Sequence, residues 1–202
     1  MFATLYDTAF ILAERRGLRE IRRALLSQAT GRVLELGAGT GINIAHYPAT
    51  VGALVLTEPD PFMAAKLRKR AYLDNAQTAV VEAPGEVVPV EDSTIDTVVS
   101  TLVLCTVKDQ GKTLAEIARI LRPGGKFLFI EHVRSDRSAV AFLQDKLNTP
   151  WSWYARGCQC NRDTVAAIGE STLRVSEIRK ERLRWISPLT HPLVVGVATH
   201  NS

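Results

Sequence analysis

Apolar positions along the chain follow two alternating rhythms. Short runs with little polar interruption predict strands at 32–36, 53–57 and 77–82, a fourth within 94–104 and a fifth at 126–132. Between them the apolar residues recur at helical spacing. In 2–28, Leu5, Ala9, Leu12, Ala13, Ile21 and Leu25 mark one face of a helix. A short helix at 42–47 is stopped by Pro48, and a helix at 61–72 begins with Asp60 as N-cap and Pro61 at its first position. A further amphipathic helix at 109–121 is closed by "RPGG", a helix stop followed by a turn. Beyond Arg134 the rhythm weakens. "LNTPWSWYARGCQCNRDT" reads as an aromatic and cysteine-containing loop, followed by a short helix at 164–169 and strands at 173–184 and 192–199.

Strands alternating with helices imply an α/β fold, a mostly parallel sheet covered by helices on both faces. The 202 residues predict one domain, with a helical segment at 1–30, a core at 31–134 and a more irregular C-terminal part at 135–202. The three cysteines fit a reducing, cytoplasmic setting rather than a secreted disulfide framework. No apolar run is long enough to cross a membrane, and the first residues do not read as a signal peptide. The formal charge is +4, gathered at Arg15, Arg16, Arg19, Arg22 and Arg23, at Lys66, Arg68, Lys69 and Arg70, and at Arg179, Lys180, Arg182 and Arg184. These clusters read as solvated faces, with weak attraction to an acidic membrane surface as the sharper reading. No interleaving of aromatic and basic residues marks a nucleic-acid platform.

The chemistry concentrates where the first strand ends, in "RVLELGAGTGINIAHYP". Gly37, Gly39 and Gly41, with Ala38, Thr40 and Asn43 around them, leave room for a ligand against the backbone. The G-x-G-x-G spacing is neither the dinucleotide fingerprint nor a phosphate loop. Glu35 repels a phosphate and suits an ammonium or sulfonium centre. Glu58, followed by Pro59 at the end of the second strand, suits a pair of ribose hydroxyls. The ligand so described is a nucleoside with a cationic amino-acid tail and no phosphate, as in S-adenosylmethionine.

"VLELGAGTG", the acid Glu58, "PVEDSTIDTVVSTLVL" with Asp96, and "EIARILRPGGKFLFIEH" together resemble the class I S-adenosylmethionine-dependent methyltransferases of the type 11 family. "GTGINIAHYP", "TLVLCTVKDQ" and "CNRDT" narrow the resemblance to the alkyl-thiol methyltransferases of animal membranes and their bacterial relatives. The resemblance implies a Rossmann-like sandwich with a seven-stranded sheet, its last strand antiparallel, and an N-terminal helical lid. It implies adenine contact from Ala83, Pro84, Gly85 or Glu86, and methionine contact from the strand end at Ser100, Thr101 and Leu102. Tyr6 either touches the methionine end or packs the helix. His132 is the candidate general base, against a purely structural place in the pocket wall. Trp151, Trp153 and Tyr154 form either a substrate wall or a satellite cluster, and Cys105, placed in the same substrate pocket, reads as a buried small hydrophobe rather than a nucleophile. The lone C-x-C of Cys158 and Cys160 is too sparse for a metal site. The implied reaction is methyl transfer to a small molecule, a thiol first. Amine methylation of lipid head groups, O- or N-methylation of another metabolite, and a non-catalytic cofactor-binding domain are the alternatives.

Overall fold

A computed structural model describes residues 14–74, 78–182 and 189–200. Tyr6 and Asp7, and with them the expected contact to the methionine end, lie outside the described residues. Seven strands form one sheet in the order β3-β2-β1-β4-β5-β7-β6. They are β1 (Gly31–Leu36), β2 (Val51–Thr57), β3 (Thr78–Val81), β4 (Ile95–Thr101), β5 (Leu121–His132), β6 (Leu173–Arg182) and β7 (Pro192–His200). The first five run parallel, and β7 inserts antiparallel between β5 and β6. The helices are α1 (Arg19–Leu26), α2 (Pro61–Asp74), α3 (Gln110–Ile120), α4 (Ser138–Tyr154) and α5 (Thr164–Glu170). A π-helical turn, Glu14–Leu18, leads into α1.

The central strands β1, β4, β5 and β7 are buried on both faces over most of their length, which is why they read as nearly unbroken apolar runs. On one face Leu34, Leu36, Phe127 and Phe129 pack with Leu114 and Ile117 of α3 and Ile168 of α5. On the other, Val33, Leu56, Leu128 and Ile130 pack with Leu25 and Leu26 of α1 and Leu67 of α2. Alternation within β1 therefore sends Glu35 to the α1 face, beside Val33 and opposite Leu34.

The predicted helix starts have a local cause. Asp60 Oδ1 accepts the N–H groups of Phe62 and Met63 at 2.9 and 3.0 Å, opening α2. Asp109 accepts from Lys112 at 3.0 Å to open α3, and Asp163 accepts from Ala166 at 3.0 Å to open α5. Three expectations need correction. The short helix after the glycine loop is a single 3₁₀ turn, Ile44–His46. "RPGG" lies inside β5: Ile95 pairs with Leu121 and Thr97 with Lys126, so Arg122–Gly125 bulges opposite Asp96. The first half of the expected aromatic loop is helix, because α4 runs through Pro150 to Tyr154, while 155–163, with both cysteines of the C-x-C, is loop as expected. Its buried stripe is only Ala141 and Gln144, with Phe142, Leu143 and Leu147 exposed, so it carries no clean helical rhythm.

Candidate functional site

The parallel strands β1, β2 and β4 end together, and the connections from their ends carry most of the predicted residues. Gly37 leaves β1 at φ 55°. A Cβ there would sit 2.8 Å from Val103 Cγ2, so only glycine lets the loop approach the end of β4. Ala38 N–H then bonds the Thr57 carbonyl at 2.8 Å, tying the loop to β2. Gly39, at φ 59°, has open space where a Cβ would stand.

Glu58 is 6% exposed and accepts two backbone N–H groups, from Gly39 to Oε2 and from Asp60 to Oε1, both at 2.9 Å. The carboxylate thus joins the glycine loop to the turn that opens α2. Burial pushes its pKa up, while these two bonds pull it back. Pro59 beside it is exposed.

A polar cluster lies at the ends of β1 and β4. Glu35 is 1% exposed; its Oε1 accepts from Asn43 Nδ2 at 2.8 Å and its Oε2 from Tyr47 at 2.6 Å. Burial raises its pKa, against those two bonds and the positive charge of Arg22. Asn43 Nδ2 also donates to Thr101 Oγ1 at 3.0 Å. Into this cluster α1 projects Arg22, whose Nη1 donates to Asn43 Oδ1 at 2.8 Å and to Thr101 Oγ1 at 2.9 Å. Its Nε pairs with Glu14 at 2.8 Å. Arg22, Glu35, Gly37, Ala38, Thr40, Ile42, Asn43 and Thr101 line a common cavity of about 20 Å³.

Arg22 corrects the view of the first basic cluster as a solvated face, since it is 3% exposed. Sequence reasoning missed it, and also Tyr47. The available signal was Arg22 within an amphipathic helix, one position after the apolar Ile21. Nothing local announces partners 21 and 79 residues away.

Beyond Thr101 the chain turns through Leu102 at φ 62°, unusual for a branched side chain, held by its N–H bond to the Ile130 carbonyl at 2.7 Å. Glu131 organises the turn from Val103 to Cys105. This fully buried carboxylate accepts from Ser100 Oγ at 2.6 Å and from the N–H groups of Val103 and Cys105 at 3.1 and 3.3 Å. Burial raises its pKa even so.

The remaining predicted residues are more scattered. Ala83 and Gly85 are buried and Pro84 exposed in the connection after β3. Glu86, expected to meet an adenine amine, accepts the backbone N–H groups of Lys108 and Asp109 at 2.8 and 3.1 Å, both through Oε1. These are donors just ahead of α3 that need an acceptor. Asp96 sits at the start of β4, at the opposite end of the sheet from the glycine loop. There it accepts Arg32 N–H at 2.6 Å and pairs with Arg122. Trp153 and Tyr154 are 87% and 74% exposed, and only Trp151 of the three aromatics is partly buried. Cys105 is buried and lies against Cys158. His132 faces the α1 side, and its Nδ1 is enclosed without a partner. Burial lowers its pKa to about 4, only partly offset by a bond to the Thr190 backbone. So weak a base is a poor proton acceptor near neutral pH. Among the described residues no group of three or more His, Cys, Asp or Glu is gathered as a metal site. No described helix is long and apolar enough to cross a membrane.

This geometry suits the nucleoside with a cationic amino-acid tail. The glycine loop leaves backbone exposed, Glu58 has acceptor capacity beside it, and Arg22, Asn43 and Thr101 face the cavity with both charge and hydrogen bonds. Residues 34–129 match the methyltransferase domain family. The chain is 35% identical to human thiol S-methyltransferase TMT1B over 91% of its own length and 80% of that protein's. It is 34% identical to human thiol S-methyltransferase TMT1A over 82% of this chain and 69% of that protein. Among solved structures, a methyltransferase from Thermotoga maritima described as a possible histamine N-methyltransferase aligns with a TM-score of 0.73 at 20% identity. That alignment covers 99% of this chain and 96% of the other. The [4+2]-cyclase SpnF aligns with a TM-score of 0.75 at 13% identity, covering 91% and 80%, which shows a shared fold and no more. On the two human relatives, the chain belongs to the S-adenosylmethionine-dependent methyltransferases, in the group that contains the thiol S-methyltransferases.

Proposed function

We propose that this chain methylates small hydrophobic thiols. The observation that carries the reading is the buried Arg22–Asn43–Glu35–Thr101 cluster at the ends of β1 and β4, in a chain so similar to two thiol S-methyltransferases. Arg22 would take the carboxylate of the cofactor's amino-acid end. Asn43, fixed by Glu35, and Thr101 would orient that end. Glu58 would take the ribose hydroxyls through the lone pairs that its two N–H donors leave free. The cavity of about 20 Å³ is smaller than a nucleoside, so Arg22 would have to swing away for the cofactor to enter. When bound, S-adenosylmethionine supplies the electrophilic methyl group. The chain's own residues hold, orient and dehydrate the reactants.

A thiol acceptor matches what surrounds His132. A free thiol with a pKa of about 8.5 is already a few per cent ionised at pH 7, so it can lose its proton to water before binding. An alcohol or ammonium acceptor would need a stronger base than an imidazole held at about 4.

Calorimetry should give micromolar affinity for S-adenosylmethionine and S-adenosylhomocysteine, about −8 kcal/mol. Glu58→Ala should weaken both by about 1.5–3 kcal/mol. Unchanged affinity would put the ribose elsewhere. In a transfer screen over thiols, phenols, amines and phospholipids, thiols should be methylated, with a rate that climbs from about pH 6 to 9 as the thiolate fraction grows. Activity confined to amines or phenols would overturn the acceptor assignment.

A further inference from the structure

We propose that Cys105 and Cys158 are a redox-active dithiol that closes to an intramolecular disulfide when a small-molecule disulfide reaches Cys158. The two sulfurs are 3.7 Å apart, although the residues are 53 positions apart in sequence. Cys105 lies in the connection between β4 and α3, and Cys158 in the connection between α4 and α5. Two further bonds join these segments. Gln159 N–H donates to the Cys105 carbonyl at 2.7 Å, and Arg162 Nη1 donates to the Leu104 carbonyl at 2.6 Å. These bonds hold the two segments against each other where the sulfurs meet. Bridging would close the remaining gap between the sulfurs from 3.7 Å to about 2.05 Å. The third cysteine does not compete, because Cys160 Sγ turns toward Asn148 Oδ1 at 3.8 Å.

The two sulfurs have unequal roles. Cys105 is 1% exposed and Cys158 is 8% exposed, so an oxidant meets Cys158 first. Once Cys158 is ionised, Cys105 S–H donates to its thiolate, which lowers the Cys158 thiol below its ordinary range and raises that of Cys105. Burial pushes Cys160 up to about 11. Cys158, as thiolate, therefore attacks one sulfur of the disulfide RSSR. The S–S bond of RSSR breaks, a Cys158–SR mixed disulfide forms, and RS⁻ leaves. Cys105 then gives up its proton, attacks the Cys158 sulfur and expels the second RS⁻. One RSSR is reduced to two thiols and the protein dithiol is oxidised to a disulfide, with no other reactant.

The bridge would pin the β4–α3 connection, which carries Val103 against Gly37, to the segment after α4. It is independent of which acceptor the enzyme methylates.

The test uses the full chain. After incubation with 2-hydroxyethyl disulfide, N-ethylmaleimide in denaturant should find one thiol where the reduced protein has three. Trypsin cuts after Arg70, Lys108, Arg156 and Arg162, so Cys105 falls in peptide 71–108 and Cys158 with Cys160 in peptide 157–162. The expected product is these two peptides cross-linked. Cys160→Ser should keep the cross-link and fall from two thiols to none. Cys158→Ser should abolish the cross-link and keep two thiols. Three thiols remaining in the treated wild type would overturn the proposal. So would an internal bridge within peptide 157–162, or a cross-link that survives in Cys158→Ser.

Discussion

At pH 7 the His132 ring is neutral, because burial holds its pKa at about 4. The unfolded chain titrates it near 6.5, so between those values the unfolded state binds the extra proton. The stability this group carries is complete above pH 6.5. It is lost as pH falls toward 4, by about 3 kcal/mol for a depression of this size. The raised carboxyls Glu35, Glu58 and Glu131 act with the opposite sign: their cost appears as pH rises above their ordinary 4.5. The comparison that isolates His132 is therefore wild type against His132→Leu in urea unfolding. The difference should move by about 3 kcal/mol against the wild type from pH 7 to 4. A difference that stays constant across that range would place the ring in solvent. Thiol methylation by His132→Leu should stay within a few-fold of wild type, since so weak a base contributes little proton transfer. In the sequence alone this residue kept two roles, because a histidine at a strand end is compatible with both. The enclosure of Nδ1, which favours the structural role, depends on elements far along the chain.

The elements were readable where their pattern was local. The strand runs, the Asp60 cap and the helix starts near 109 and 164 depend on neighbours in sequence, and their boundaries came within a few residues. Helix α4 escaped because it docks by a polar contact instead of an apolar stripe. Gln144 is fully buried there. Its Nε2 reaches the carbonyls of Val133, Cys160 and Leu189 at 3.2, 2.8 and 2.9 Å, and its Oε1 accepts Ser135 N–H at 2.8 Å. Gln144→Ala would strand these groups in the interior. It should cost about 2–4 kcal/mol in urea unfolding, above the usual single-bond loss because several partners are orphaned together. A loss below about 1 kcal/mol would mean that α4 is held mainly by its other contacts.

For the whole molecule, the strand order makes the site. From β1 the chain moves outward through β2 to β3, then returns to place β4 on the other side of β1, so the connections leaving β1 and β4 part and open a crevice at the sheet's carboxyl edge. The glycine motif announced the crevice, but not that α1 would fill it with Arg22. Arg22→Met keeps much of the side-chain volume and removes the charge. It should raise the Kd for S-adenosylhomocysteine at least about tenfold by calorimetry, as expected for loss of a charge-assisted bond. Unchanged affinity would make Arg22 a packing residue only. The same strand order leaves β3 and β6 at the two margins of the sheet. β3 has only four residues. β6 carries Arg174, Glu177, Arg179, Lys180, Glu181 and Arg182, and its register is interrupted at Ser176. Shortness at one margin, charge and a bulge at the other, are features that discourage edge-to-edge stacking of copies into aggregates. A fully apolar seven-stranded sheet with two clean margins would be prone to fibre formation. Here the outward backbone groups of β3 and β6 pair with no further strand among the described residues, but neither margin offers a long, flat, apolar template for another strand.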